Sequence, residues 1–282
     1  VDVIQFMEST TKLSRGGKKR FQEMIYAHYE RFQRKLPWRM TDDPYAIVVS
    51  EIMLQQTQVN RVIDKYHEFL EAFPTVRFLA RVPLREVLRI WQGLGYNRRA
   101  LSLKKLAEVV VADYESEIPS DVHQLVKLPG IGPATAHSIC VFAFNRPVVF
   151  IETNIRAVFI HHFFNDRDEV RDSEIRPLVE QTLDRDNPRR WYNALMDYGV
   201  ALKKQFTNPG KKSAHYHKQP PFEGSNRQVR GAVLKTLMKQ RHFTQAELID
   251  ALPYDATVIK MNIKQLVKEE LVVKKGTYIS IP

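Results

Sequence analysis

From about residue 18 to residue 206 apolar side chains recur at helical spacing, and nowhere in that stretch do they alternate long enough for a sheet. That part of the chain can therefore fold only as packed amphipathic helices. The pattern predicts helices over 20–34, 44–69, 84–91, 100–114, 134–144 and 188–206. With 282 residues, 44% of them apolar, the chain has enough material to bury cores in about two domains, which excludes disorder as its whole character. Apolar stretches such as 46–49 and 148–151 are far too short to span a bilayer.

Between Lys203 and Pro221 the periodicity fails, in a segment with five lysines and no acid. Residues 207–223 read as a basic linker, extended over the surface or along a bound backbone. Beyond it the pattern changes. A helix over 225–240, a second opened by the capping box Thr244-Gln245-Ala246-Glu247, and a third over 255–270 precede two strands, 271–273 and 277–281, joined at Lys274-Lys275-Gly276. Three helices and a terminal hairpin describe a small winged-helix-like α/β module over 224–282.

The chain carries 43 Lys and Arg against 32 Asp and Glu, a net charge of +11. So broad a positive field suits a polyanion, with nucleic acid favoured over an anionic membrane surface. The one cysteine, Cys140, excludes an intrachain disulfide and Cys-based zinc or iron–sulfur ligation by this chain alone. Its apolar neighbours predict a buried, inert thiol. Residues 1–8 show no secretory signal, so a cytoplasmic location is expected, nucleoid-associated in a prokaryote.

Three places could carry chemistry. Glu51 lies in Ala46-Ile47-Val48-Val49-Ser50-Glu51-Ile52-Met53-Leu54, where a desolvated carboxylate could act as a general acid or simply cap a neighbour or pair with Arg39. In Leu128-Pro129-Gly130-Ile131-Gly132-Pro133 two glycines between helices permit a tight turn whose amides can face a phosphate. Glu152 stands at the start of a helix that Thr153 or Asn154 could cap, where the helix field favours an acid. Two carboxylates in unlike surroundings suit acid-assisted cleavage of a glycosidic bond.

Leu36-Pro37-Trp38-Arg39, Asp43-Pro44-Tyr45, Ser50-Glu51-Ile52-Met53-Leu54-Gln55-Gln56-Thr57-Gln58-Val59, Gly93-Leu94-Gly95-Tyr96 and Leu128-Pro129-Gly130-Ile131-Gly132 occur in this order. The series resembles the helix–hairpin–helix (HhH-GPD) DNA glycosylases, and among them the MutY-like adenine-excising branch, over roughly residues 20–203. The resemblance implies a mainly α, two-lobed glycosylase domain over 1–206, with its hairpin near 125–140, followed by the linker and the winged-helix-like module. It further implies that Glu51 protonates a flipped base and that Glu152 supports the cationic sugar. Trp38, Arg39, Leu54, Ala134 and Asn154 would line the base pocket. Gln55, Gln56, Thr57, Tyr96, Asn97, Gly130, Ile131 and Gly132 would meet DNA, with Gln56 as the wedge entering the duplex.

Some positions depart from that pattern. Glu152-Thr153-Asn154 stands where the branch has Asp-Gly-Asn, and Ala134 stands where bifunctional relatives carry a Schiff-base lysine, so a monofunctional enzyme is expected. Lys203-Lys204 stand where the family's cluster cysteines would begin, so no iron–sulfur cluster and no protein-held metal are expected, a monovalent cation at the hairpin being left open. The winged-helix-like module replaces the domain that inspects oxidised guanine. The expected activity is removal of adenine opposite 8-oxoguanine or guanine from double-stranded DNA. Thymine or uracil mismatch excision, and a non-catalytic DNA-binding or regulatory role, are the alternatives; no protein partner is indicated.

Adjacent His161 and His162 point about 100° apart on a helix and read as ordinary residues rather than metal ligands. Arg98-Arg99, Lys104-Lys105 and Arg189-Arg190 could meet phosphates or form solvated faces.

Overall fold

A computed structural model describes residues 12–282 together with the backbone of 7–9. The expectation for residues 1–8 lies outside the described residues, apart from that stretch of backbone. Strands β1 (Met7–Ser9) and β2 (Lys12–Leu13) pair antiparallel ahead of α1 (Arg15–Phe32). There follow α2 (Pro44–Leu54), α3 (Val59–Ala72), α4 (Val76–Arg81), α5 (Leu84–Trp91), α6 (Arg98–Asp113) and α7 (Val122–Leu125). Next come α8 (Pro133–Phe144), α9 (Thr153–Phe163), α10 (Asp172–Thr182) and α11 (Pro188–Gln205). The C-terminal part holds α12 (Asn226–Leu237), β3 (Phe243–Thr244), α13 (Gln245–Asp250), α14 (Ala256–Lys268), β4 (Val273–Lys275) and β5 (Tyr278–Ser280). The chain is thus mainly α with one small C-terminal sheet, and among the described residues no helix is long and apolar enough to cross a membrane.

The single helix expected over 44–69 is two helices. Gln55-Gln56-Thr57-Gln58 supplies no apolar residue to continue the stripe, the Thr57 N–H closes on the Leu54 carbonyl at 3.2 Å, and Gln56 turns left-handed at φ +55°. The terminal hairpin is also shifted. Lys275 pairs with Tyr278 across a two-residue turn, Gly276-Thr277, so both lysines expected in the turn belong to β4. Glycine supplies the positive φ, +59°, that such a turn needs at its first position. The sheet order is β3-β5-β4, with both pairings antiparallel.

Contacts group the chain into two compact units, one of residues up to Pro44 with Gly132–Lys218, the other of Tyr45–Ile131 with Gln219–Pro282. In the first, α9 and α11 pack on α1 around Phe21, whose ring lies 5.5 Å from Phe159 and 5.1 Å from Phe163. Gly199 lets α11 approach α9, because a Cβ there would come within 2.5 Å of the Asn154 carbonyl oxygen. Half of the expected linker is docked in this unit. Asn208 caps a 3-10 turn, Pro209–Lys212, which packs on α9, and Val170 exchanges backbone bonds with Lys212 and Ala214 at 2.9 Å each.

In the second unit α2 is buried at Tyr45–Ser50, Ile52 and Met53. The contact grouping places the C-terminal module in this unit. Arg85 of α5 donates to the carbonyls of Leu237 (3.1 Å) and Met238 (2.8 Å), capping the C-terminal end of α12, and Lys105 of α6 pairs with Glu270.

Asp197 of α11 fastens the segment between α1 and α2, which carries a 3-10 turn at Pro37–Arg39, within the first unit. It accepts from Arg39 Nη1 at 2.8 Å and Nη2 at 2.9 Å, and from the backbone N–H of Arg34 at 2.9 Å. Burial pushes its carboxyl pKa up, but the paired Arg39 and Arg34 guanidiniums outweigh this and hold it below the usual range. Replacing Asp197 with Asn leaves Arg39, 7% exposed, without its counter-ion. The expected loss is about 3–5 kcal/mol at neutral pH, read from urea unfolding. Because the lowered pKa stabilises only while the carboxylate is ionised, the gap between the two proteins should narrow as pH falls below about 4.

Candidate active site and nucleic-acid interface

In the second unit the candidate residues cluster around Arg99. α2 ends without a basic residue in its last turn, so its terminal carbonyls need a donor from elsewhere. Arg99 Nη1 reaches the carbonyls of Ile52 (2.9 Å), Met53 (2.7 Å) and Gln55 (2.5 Å). Its Nη2 reaches Thr57 Oγ1 (2.9 Å) and the carbonyls of Gly95 (3.2 Å) and Leu94 (3.4 Å). One guanidinium thus ties the turn after α2 to the loop before α6. Burial lowers its pKa to about 10.

Two non-glycine residues held beside this clamp have left-handed backbones, Gln56 at φ +55° and Tyr96 at φ +48°. Gln56 is exposed; Gln55, Thr57, Tyr96 and Asn97 are half-buried. Trp91, fully buried, donates Nε1–H to the Gly95 carbonyl at 3.0 Å, and the Arg99 guanidinium lies 5.4 Å from the centre of each of the Trp91 and Tyr96 rings. Glu51 is half-buried on α2, with Leu54 three residues on along the same face and also half-buried. The carboxylate is therefore less enclosed than the run of apolar neighbours suggests.

The glycine turn is uneven. Gly130 has φ +81°, and a Cβ there would come within 2.7 Å of the Ser102 Cβ, so glycine is required. The Gln55 amide reaches its carbonyl at 3.4 Å. Ile131 is buried, whereas Gly132 needs no such conformation and caps the exposed start of α8, followed by Pro133 and Ala134.

The first unit holds Glu152. Contrary to the sequence expectation, the helix cap is Glu152 itself and not Thr153 or Asn154: its Oε1 accepts from the backbone N–H of Asn154 at 2.7 Å and of Ile155 at 3.0 Å. Asn154 Nδ2 donates to Glu152 Oε2 at 3.2 Å, and Asn154 Oδ1 accepts from Lys203 Nζ at 2.9 Å. A lysine can only donate, so it fixes which way the asparagine amide faces. Burial lowers the Lys203 pKa, against the pull of Glu152. Trp38 is buried, and the Arg39 guanidinium is engaged by Asp197 and the Arg34 carbonyl, an ion pair that anchors the chain around it.

Three of the basic side chains left open between phosphate contact and a solvated face are engaged internally. Arg99 is buried, Lys104 donates to the Ala80 carbonyl (2.7 Å) and Glu108 (2.6 Å), and Arg189 donates to the Ala143 carbonyl (3.0 Å). His162 is buried against Tyr198 Oη at 3.0 Å, and burial pushes its pKa down to about 3. Among the described residues no group of three or more His, Cys, Asp or Glu could hold a metal ion. Cys140, buried in α8, is the chain's sole thiol and does not fit a cluster held by several thiolates.

Comparison with known proteins gives this geometry its family. Residues 49–181 match the model of the HhH-GPD superfamily base excision DNA repair proteins. The chain is 35% identical over 187 residues to an adenine DNA glycosylase of Buchnera aphidicola subsp. Baizongia pistaciae, covering 64% of this chain and 52% of that protein. It is 34% identical over 166 residues to a thymine/uracil-DNA glycosylase of Pyrobaculum aerophilum, covering 58% of this chain and 70% of that one. The solved structure of a thermostable thymine-DNA glycosylase superimposes with a TM-score of 0.59 at 26% identity, over 65% of this chain and 86% of its own. The chain belongs to the HhH-GPD superfamily of base excision DNA repair proteins. It spans about half the length of several adenine glycosylases it matches.

Arg99, Asp197 and Lys203 escape sequence reasoning as structural residues. The missing C-cap of α2 signals that a donor is needed, but not which one. Arg99→Lys keeps the charge but not the fork that serves six acceptors. We expect a loss of about 2 kcal/mol in stability, and faster amide exchange at 55–57 and 93–97 than in the wild type.

Proposed function

We propose that this chain is a monofunctional DNA N-glycosylase of base excision repair. It takes a mispaired base out of double-stranded DNA, with adenine opposite 8-oxoguanine or guanine as the leading target, and hydrolyses the N-glycosidic bond without an iron–sulfur cluster. The observation that carries the reading is Glu51. It is a half-buried acid on the same helix face as Leu54, one turn before an exposed Gln56 in a left-handed turn, inside the stretch that matches the family.

In this reading Gln56 fills the space that the flipped nucleotide leaves, and the hairpin at Gly130–Gly132 meets a backbone phosphate. Glu51 gives its proton to the departing base as the bond to C1′ breaks. The negative charge of Glu152 supports the cationic sugar, water adds at C1′ and loses a proton, and the products are a free base and an abasic site. Ala134 offers no amine for an imine, so strand cleavage is not part of the reaction.

Thymine or uracil as the target is the second reading, favoured by the Pyrobaculum relative and by the thymine-DNA glycosylase structure. Glu51→Gln tests the shared mechanism. In single-turnover assays on duplexes with adenine opposite 8-oxoguanine, read after alkaline cleavage, base release should fall about 100- to 10,000-fold while duplex affinity changes little. Unchanged release in Glu51→Gln would sink the assignment of the acid. Tight binding without release by the wild type would favour a non-catalytic DNA-binding role.

A further inference from the structure

Lys203 and Lys204 are neighbours near the end of α11, yet Lys203 is half-buried and Lys204 exposed. Among the described residues no carboxylate stands within ion-pair distance of the Lys203 ammonium group, and its one hydrogen bond goes to Asn154 Oδ1 at 2.9 Å. A cation drawn out of water without a counter-ion carries a cost that an apolar side chain in the same place would not, so the ammonium group calls for a use beyond packing. Burial lowers its pKa, the charge of Glu152 acts to raise it, and that of Arg156 lowers it further.

The same face of α11 meets Asn154 twice. At Gly199, one turn before Lys203, a Cβ would stand 2.5 Å from the Asn154 carbonyl oxygen and 2.8 Å from the Asn154 Cβ. Gly199 thus lets the helices approach, and Lys203 orients the amide: an ammonium group can only donate, so it draws Oδ1 to itself and turns Nδ2 towards Glu152 Oε2, 3.2 Å away. Glu152 needs such help. A glutamate that caps its own helix has one more rotatable bond to fix than the aspartate, asparagine, serine or threonine that ordinarily does so. Its Oε1 is held by the N–H groups of Asn154 and Ile155, whereas among the described residues Oε2 has the Asn154 amide alone.

We infer that Lys203 is a positioning residue for glycosidic cleavage, holding the second carboxylate oxygen of Glu152, through Asn154, in the orientation that supports the cationic sugar. The inference rests on the glycosylase reading of Glu152 and adds to it a residue from another helix. With the Asn154 amide turned over, Oδ1 would face Oε2, and two acceptors in opposition would drive the carboxylate from its place.

Affinity, not turnover, gives the test. Duplexes carry, opposite guanine, either a pyrrolidine nucleotide, whose protonated ring nitrogen takes the place of C1′, or a neutral tetrahydrofuran nucleotide. The wild type should bind the cationic analogue about tenfold or more tightly than the neutral one, because a carboxylate held at C1′ favours the charge. Lys203→Cys and Lys203→Met should each lose most of that preference while binding the tetrahydrofuran duplex as the wild type does. Treating Lys203→Cys with 2-bromoethylamine, the thiolate displacing bromide, rebuilds a side chain of lysine's length and charge, verified by mass, and should restore the preference. Cys140 is buried, and wild-type protein treated in the same way is the control. A preference kept by both variants, or not regained on aminoethylation, would overturn the inference and leave the role of Glu152 standing. No preference in the wild type would remove the role of Glu152 and the inference with it.

Discussion

The side of the second unit that carries Gln56 and Tyr96 depends on the buried guanidinium of Arg99. A helix as apolar as α2 can bury itself readily, but its last carbonyls cannot be left dry. Arg99 serves them and, with the same fork, the Leu94 and Gly95 carbonyls, so satisfying a helix end also sets the loop that presents Tyr96. The left-handed backbones of Gln56 and Tyr96 are held on either side of this one group. A cation at a helix C-terminus is favourable in its own right, and burial makes its hydrogen bonds stronger and its loss more costly.

The first unit solves a similar problem with a carboxylate. Asp197 neutralises Arg39 and takes the Arg34 backbone, while two residues further along the same helix Gly199 lets α11 meet the start of α9. There Glu152 caps the helix, Asn154 orients it and Lys203 orients Asn154. Where the family resemblance places cluster cysteines, Lys203 anchors inward, and Pro209 and Gly210 bury against α9.

Much of this was legible in the sequence. The helical repeat identified the mainly α class, and the capping box at Thr244 and the acid-free break after Lys203 marked the C-terminal module. The motif around Glu51 led to the family that the comparisons show. What local pattern missed was set by distant partners. The polar run 55–58 looks tolerable within a helix until the Gln55 carbonyl and the Thr57 hydroxyl are claimed by Arg99, 44 residues on from Gln55. Nothing local to Arg39 marks its partner Asp197, 158 residues away. The bonds of the module at 224–282 to Arg85 and Lys105 leave no mark in its own periodicity.

The central claim is that Glu51 sits in a working glycosylase. The most direct test is to incubate the wild-type chain with duplexes bearing adenine opposite 8-oxoguanine, adenine opposite guanine, thymine opposite guanine and uracil opposite guanine, and to identify any free base by chromatography. Free adenine is expected, leaving a strand that breaks only on alkaline treatment. Release of thymine or uracil alone would move the target to the second reading while keeping the mechanism. No free base from any duplex that the protein binds tightly would contradict the account.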